Sequence, residues 1–163
     1  MVALEEKRER AWAAAASVVD PEIPALTIAD LGVLREVNVT ADGVEVTITP
    51  TYTGCPAMRM IELDIQLSLE RAGIGPVRVK TVLSPAWTTD WLTEEARAKL
   101  AACGIAPPPH TASRRALFNE EKIACPHCRS ADTERLAEFG STACKSLYRC
   151  RACKEPFELF KCH

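Results

Sequence analysis

The chain has no long hydrophobic run and only three histidines among its 163 residues. No apolar stretch approaches the roughly 18 residues that a membrane-spanning helix needs. The first residues include Glu5, Glu6 and Glu9, whereas a secretory signal has a positive start and a longer apolar stretch, so we expect no export. These absences favour a cytoplasmic protein without a membrane partner.

Strong charge of one sign is also missing, since the formal net charge is −2. Residues 1–103 carry ten basic and fifteen acidic side chains, and residues 104–163 carry ten basic and seven acidic ones. The basic excess of the tail is small, so we do not expect nucleic acid as a partner. Eight cysteines without an export signal predict a reducing compartment, with thiols that are free or bound to metal.

A run of three prolines at residues 107–109 divides the chain, because such a run cannot continue a helix or enter a central strand. We therefore predict a first domain at residues 1–104, a proline-rich linker and connector at 105–122, and a second domain at 123–163. Alternation and turn signals in the first domain predict an α+β fold of about three strands and three helices. The predicted helices include residues 4–18 and 93–102, the latter with Thr93 as its N-cap. The predicted strands are 33–39, 44–48 and 77–83, and Asp42-Gly43 signals a hairpin turn between the first two.

The segment 58–72 is ambiguous. Its apolar residues alternate with polar ones from Ile61 to Leu69, which is the periodicity of a strand. Met58, Ile61 and Ile65 also share one helical face, and the run is too long for an ordinary strand. Its leucine, methionine and glutamate content favours a helix, with Pro56 suited to the first helical position, so we predict a helix.

Four cysteines form two close pairs near the end of the chain, in the pattern C-x2-C, 21 residues, C-x2-C. Tetrahedral zinc needs four ligands of this kind, and the spacing is close to that of zinc sites. We predict a closed, structural Zn²⁺ site, while iron remains open as the metal. The predicted ligands are Cys125, Cys128, Cys150 and Cys153. Cys144 and Cys162 are extra thiols whose role the pattern leaves open.

A second candidate site is the segment TYTGCPAM at residues 51–58, in which a strand ends, a glycine turns the chain and a helix begins near Cys55. A thiol at a helix start experiences unpaired N–H groups, so we expect a lowered pKa for Cys55 and a thiolate at neutral pH. A buried structural cysteine is an equally good interpretation. Asp20 or Glu22 could orient Cys55, although an Asp before a proline usually only shapes a turn.

Two groups of segments, in this order, resemble a known family. VDPEIP at 19–24, TIADLGV at 27–33 and PTYTGCP at 50–56 resemble the small domain shared by the SufT family and cytosolic iron-sulfur targeting factors. CPHC at 125–128, FGSTACK at 139–145 and YRCRACKEPF at 148–157 resemble the zinc-ribbon tail of the PaaD family, also called PaaJ. The resemblance covers nearly the whole chain.

The resemblance implies a small mixed-sheet SufT-like domain followed by a zinc ribbon. Members of the PaaD family form the D component of the bacterial phenylacetyl-CoA epoxidase system of aerobic phenylacetate breakdown. The implied role is accessory, without catalytic residues of its own: assembling or delivering an iron-sulfur cluster to the reductase component. Cys55 would be the transient cluster contact, with Asp20 and Thr51 nearby. The second cluster ligand would come from the other copy in a homodimer or from the client.

Other functions remain open at this point. A non-catalytic subunit of the oxygenase complex could dock through Trp87 and Trp91 or through the ribbon. Nucleic-acid binding has only the mildly basic tail in its favour. A stand-alone thiol enzyme lacks a base, because all three histidines lie in the linker or the tail. The chain also has no Glu-x-x-His pair for a di-iron site and no dinucleotide-binding fingerprint.

Overall fold

The computed structural model describes residues 2–109 and 122–161 and divides into two compact units between residues 87 and 88. The predicted connector lies outside the described ranges from residue 110 to 121, as do Cys162 and His163. None of the helices in the described ranges combines the length and apolar character that crossing a membrane requires. The domain boundaries at residues 104 and 123 remain a prediction.

The first unit has a three-stranded mixed sheet, which confirms the predicted α+β class. Its elements are α1 (Val2–Ala16), β1 (Leu34–Thr40), β2 (Gly43–Ile48), α2 (Met58–Arg71) and β3 (Val77–Thr81). β1 pairs antiparallel with β2, whereas β2 pairs parallel with β3. Two consecutive parallel strands need a crossover connection between them, and α2 is the connection from β2 to β3.

The hairpin between β1 and β2 depends on Gly43. Its φ is +145°, and a Cβ built there would lie 2.1 Å from the Pro76 carbonyl oxygen, so a side chain does not fit. The same oxygen accepts the Val44 N–H at 2.9 Å, which joins the start of β2 to the chain entering β3. The hairpin signal in the sequence therefore also marks a close approach of two backbone segments.

The core of the first unit lies between the sheet and the helices. Burying each large aliphatic side chain stabilises the fold by about 1.5–3 kcal/mol. α1 approaches the rest of the unit through the small buried residues Ala11 and Ala15. The largest fully buried side chains of the unit are Leu26, Ile28, Leu31, Val33, Val44, Val46, Ile48, Ile61, Ile65 and Leu69.

The ambiguous segment is a helix, as predicted. In α2 the core-facing residues are Ile61, Ile65 and Leu69, spaced four apart. The helix starts at Met58, so Pro56 lies in the preceding turn and not at the first helical position.

The second unit begins with a short 3₁₀ helix (Thr89–Trp91) and α3 (Glu94–Ala102). The predicted cap of α3 is confirmed, because Thr93 Oγ1 accepts the Ala96 N–H at 3.0 Å. A four-stranded sheet follows, in the order β4-β7-β6-β5. Its strands are β4 (Ile105–Ala106), β5 (Thr133–Ala137), β6 (Lys145–Cys150) and β7 (Pro156–Phe160).

β4 was not predicted. Ile105 and Ala106 directly precede the prolines, yet they pair parallel with Glu158 and Leu159 of β7. α3 and β4 thus belong to the same compact unit as the cysteine pairs, whereas the sequence assigned α3 to the first domain. A two-residue strand leaves no periodic signal in the sequence, so only tertiary pairing reveals it.

Candidate functional site

The structure brings the two cysteine pairs together in the second unit. All four sulfur atoms lie within 4.8 Å of one another. Cys125 Sγ is 3.8 Å from Cys153 Sγ, and Cys128 Sγ is 3.5 Å from Cys150 Sγ. Four sulfurs at 2.3 Å from a tetrahedral metal are about 3.8 Å apart, so the arrangement fits one metal ion with four thiolate ligands.

Each cysteine pair lies on a tight turn of the same design. The Cys125 N–H donates to the Ser130 carbonyl at 2.9 Å, and the Cys150 N–H donates to the Glu155 carbonyl at 3.0 Å. The residue after each pair, Arg129 or Lys154, has a left-handed φ, of 64° and 67°. This conformation turns the chain sharply enough to aim both thiols of a pair at one point.

Cys150 and Cys153 of this group differ in pKa. The pKa of Cys150 is lowered to about 7, chiefly because the Cys153 N–H donates to its sulfur. For Cys153, the Glu155 N–H lowers the pKa, but burial and the neighbouring sulfurs outweigh that donor and raise it to about 12. Crowded thiols resist losing all their protons unless a cation compensates the charge. Metal binding at this site therefore releases protons and weakens as the pH falls.

The apolar surroundings of this metal site are small. Ala106, Phe157 and Leu159 form a buried cluster with two of the cysteine sulfurs, and Tyr148 stacks on Phe157 at 5.7 Å between ring centroids. A cluster of this size contributes little free energy of folding compared with a bound metal, which contributes about 10–16 kcal/mol in zinc-finger peptides.

Other thiols and His127 stand apart from this site. Cys144 is buried, 3.0 Å from Thr142 Oγ1, and does not belong to the metal-ligating group found among the described residues. Cys162 lies outside the described ranges. His127, inside the first cysteine pair, is exposed and lies beside Gly104. Cys103 at the end of α3 is an exposed thiol that the sequence analysis did not consider.

Two basic side chains of the ribbon share one acidic partner. Arg149 and Arg151 both donate to the Glu134 carboxylate, and they hold its pKa below the ordinary value. These arginines were part of the basic excess that favoured a nucleic acid, so their pairing weakens that interpretation further.

Cys55 lies in the loop between β2 and α2 of the first unit, half-buried. Gly54 has a φ of +81°, which turns the chain just before the cysteine. The Cys55 N–H donates to the Tyr52 carbonyl at 3.3 Å, and the Cys55 carbonyl accepts the Met58 N–H at 3.3 Å. The backbone therefore fixes the thiol at the entrance to α2.

The expected lowering of the Cys55 pKa was wrong. Burial raises the pKa above its ordinary value of 9.0, and the carboxylates of Glu22 and Asp20 raise it further. The Ala57 N–H and the Tyr52 hydroxyl lower it, but by less. Desolvation outweighs the donors at the helix start, so the resting form is the thiol. Tyr52 is a neighbour that the sequence analysis missed.

Asp20 shapes the loop in which it lies. It is buried, and its Oδ1 accepts the N–H groups of Glu22 and Ile23, both at 2.8 Å. The turn interpretation of Asp20 therefore holds, and its negative charge also raises the pKa of Cys55. Thr51 is half-buried in the bend after β2. The roles of these residues in cluster transfer remain a prediction.

Trp87 is a core residue. Its side chain is buried, and its Nε1 donates to the Leu31 carbonyl at 2.8 Å. A docking surface formed by Trp87 is therefore excluded, while Trp91 is half-buried in the second unit.

Two family models match this chain. Residues 8–83 match the model described as iron-sulfur cluster assembly protein, and residues 109–161 match the PaaD zinc beta ribbon domain. The first match contains the Cys55 loop, and the second contains the four-cysteine site. Fold and sites together define the class of protein: an iron-sulfur-assembly-type domain followed by a zinc ribbon.

Known relatives narrow the class further. A protein of Escherichia coli (strain K12), named as the D component of a "Putative 1,2-phenylacetyl-CoA epoxidase", is 47% identical over 151 residues, which cover 93% of this chain and 90% of that protein. The chain therefore belongs to the PaaD family of phenylacetyl-CoA epoxidase subunits. The "Fe-S protein maturation auxiliary factor" of Porphyromonas gingivalis is 40% identical over 86 residues, 52% of this chain and 81% of that protein.

A solved structure supports the fold of the first part. The crystal structure of a domain of unknown function, DUF59, from Bacillus anthracis has a TM-score of 0.57 at 24% sequence identity. The match covers 61% of this chain and 95% of the other.

Proposed function

We propose that this protein is a non-catalytic accessory factor of a phenylacetyl-CoA epoxidase system in aerobic phenylacetate catabolism. It assembles an iron-sulfur cluster or delivers one to the reductase component. The family membership and the names of both relatives support this role. The observation that carries it is the single, half-buried thiol of Cys55 in the iron-sulfur-assembly domain, apart from the four-cysteine group.

The four-cysteine site holds a structural Zn²⁺. Cys125, Cys128, Cys150 and Cys153 supply all four tetrahedral positions, so no position remains for a water molecule or a substrate. Zinc bound there has no redox chemistry and stabilises the ribbon. The site is therefore a fold element, and function resides elsewhere in the chain.

Cys55 serves as one ligand for the cluster, which is cargo. When the S–Fe bond forms, the thiol S–H bond breaks and its proton passes to solvent, with no change in oxidation state. The raised pKa means that a proton competes with iron for the sulfur, which favours release over long retention. The carboxylates of Asp20 and Glu22 disfavour a bare thiolate, yet they attract the positive charge of iron to the same place.

The client is the reductase component, which supplies the other cluster ligands, and the compartment is the cytoplasm. A reducing compartment agrees with the lack of disulfide bonds among the cysteines in the described ranges.

The test is Cys55→Ala co-expressed with the reductase, with the exposed Cys103→Ala as the matched control. We expect both variants to keep the fold and an equimolar zinc content. Iron in the reductase should fall only with Cys55→Ala, because only that thiol contacts the cargo. A fully iron-loaded reductase beside Cys55→Ala contradicts the cluster role.

A second candidate is a structural subunit bound permanently in the oxygenase complex, which the naming of the Escherichia coli relative as part of an epoxidase favours. Co-purification at fixed stoichiometry after high-salt washing supports this candidate. Dissociation on dilution, together with iron loss in the Cys55→Ala co-expression, supports the transfer factor instead.

A further inference from the structure

α2 has apolar residues on two opposite faces. The inner face is formed by Ile61, Ile65 and Leu69, which are buried. Met60, Leu63 and Leu67 are exposed by 51%, 48% and 37% and form what we call the outer stripe. At 100° per residue, the centres of the two faces lie nearly 180° apart around the helix, as estimated from the helical repeat.

This arrangement explains the strand-like alternation of the segment. Residues two apart in a helix point about 200° apart, so an alternating apolar pattern forms two opposing apolar faces. A helix that lies on the surface of its own domain needs only one apolar face, the one that packs on the core. The residues of the outer stripe are three and four positions apart. This is the spacing of the apolar residues through which one helix packs on another.

Exposed charges beside the outer stripe indicate what covers it. Arg59 and Glu70 are exposed and lie on the same flank of the stripe, near its opposite ends. When two identical helices pack antiparallel about a twofold axis, this flank meets its own counterpart with the ends reversed. Arg59 of each copy then faces Glu70 of the other, which gives two complementary ion pairs. A parallel arrangement about a twofold axis brings opposite flanks together, so Arg59 of one copy does not meet Glu70 of the other.

We propose that α2 is the interface of a homodimer, packed antiparallel on the α2 of a second copy of this chain. Met60 packs on Leu67 of the second copy, and Leu63 packs on its own counterpart near the axis. Asp64, on the other flank, also lies near its counterpart, and this repulsion keeps the association weak. The dimer therefore forms and dissociates over an accessible concentration range.

The dimer has a consequence for the Cys55 site, and this part rests on the proposed function. Cys55 precedes the start of α2, so antiparallel packing places the two Cys55 thiols at opposite ends of the interface. With a rise of 1.5 Å per residue, they are separated along the helix axis by about 25 Å. Such a distance is too long for one cluster to bridge. The remaining cluster ligands must come from the client and not from the second copy.

The test is sedimentation velocity of the full zinc-loaded chain over a wide concentration range. We expect a monomer–dimer equilibrium for the wild type, and at least about tenfold weaker association for Leu63→Asp, which places two carboxylates in the apolar seam. Leu136→Asp is the matched control, since Leu136 is 50% exposed on β5 of the other unit. It should leave association unchanged.

Charge reversal identifies the antiparallel register. Arg59→Glu and Glu70→Arg should each weaken the dimer, and the double variant should restore it. A wild type that stays monomeric, a dimer insensitive to Leu63→Asp, or a double variant that fails to recover overturns the proposal. Cys55→Ala should dimerise like the wild type, so a failure of cluster delivery and a failure of dimerisation are seen separately.

Discussion

The two sulfur sites of this chain differ in how many thiols they bring together and in what surrounds them. In the ribbon, four sulfurs converge within 4.8 Å of one another, beside apolar side chains. In the first unit, a single half-buried thiol lies near two carboxylates, with Tyr52 and the Ala57 N–H as its hydrogen-bond donors. Four converging ligands fill the coordination of a metal ion and retain it. A single ligand leaves the other positions to a second molecule. In the proposed function, this difference in the number of thiols separates a structural site from an exchange site.

The largest expected effect comes from removing one ribbon ligand. Cys150→Ala should abolish zinc binding and unfold the ribbon, because the metal supplies most of its folding free energy, about 10–16 kcal/mol in comparable peptides. Amide hydrogen exchange should show β5–β7 unprotected and β1–β3 unchanged. Cys144→Ala is the control and should keep its zinc. A Cys150→Ala ribbon that stays folded without zinc contradicts a structural role for the four-cysteine site.

A smaller effect is expected at Asp20, which supports the Cys55 loop. Asp20→Ala removes the acceptor of two backbone N–H groups and should lower the free energy of unfolding by about 1–3 kcal/mol in urea. Asp20→Asn keeps an oxygen at this position and should cost less. Equal losses for both variants indicate that the charge of Asp20, and not its hydrogen bonds, maintains the loop.

The pH dependence of Cys55 alkylation tests the direction of its pKa shift. Because its pKa is raised above 9.0, the protonated form is favoured in the fold, and the thiolate forms only as the pH rises through the raised value. Alkylation of Cys55 by iodoacetamide, followed by mass spectrometry, should be slow at neutral pH and increase into the alkaline range. Glu22→Gln removes a nearby negative charge, so its profile should shift to lower pH. A plateau at neutral pH contradicts the assigned direction.

The smallest effect is expected at the turns of the metal site. Arg129 and Lys154 adopt a left-handed conformation that costs a non-glycine residue about 1–2 kcal/mol. Arg129→Gly and Lys154→Gly should each stabilise the zinc-loaded ribbon by up to about 1 kcal/mol, since glycine avoids this cost but loses more chain entropy. Thermal unfolding of both variants measures the gain. Destabilisation by either glycine means that the side chain itself supports the turn.

Much of the fold was predictable because its signals are local. The cap Thr93, the hairpin before Gly43 and the cysteine spacing each follow from a few neighbouring residues. β4 was missed because its two residues form a strand only through their partners in β7. The direction of the Cys55 pKa was missed because desolvation depends on residues distant in sequence, and the helix-start argument considers only near ones.

The sequence by itself determined the α+β class and the four-cysteine group, because spacing and periodicity are properties of the chain. Tertiary structure alone decided that Asp20 and Glu22 influence Cys55, that Trp87 belongs to the core, and that α2 exposes a second apolar face. The physical reason is the same in each case. Burial and charge at a residue depend on what folds against it, and that information is not contained in any short segment.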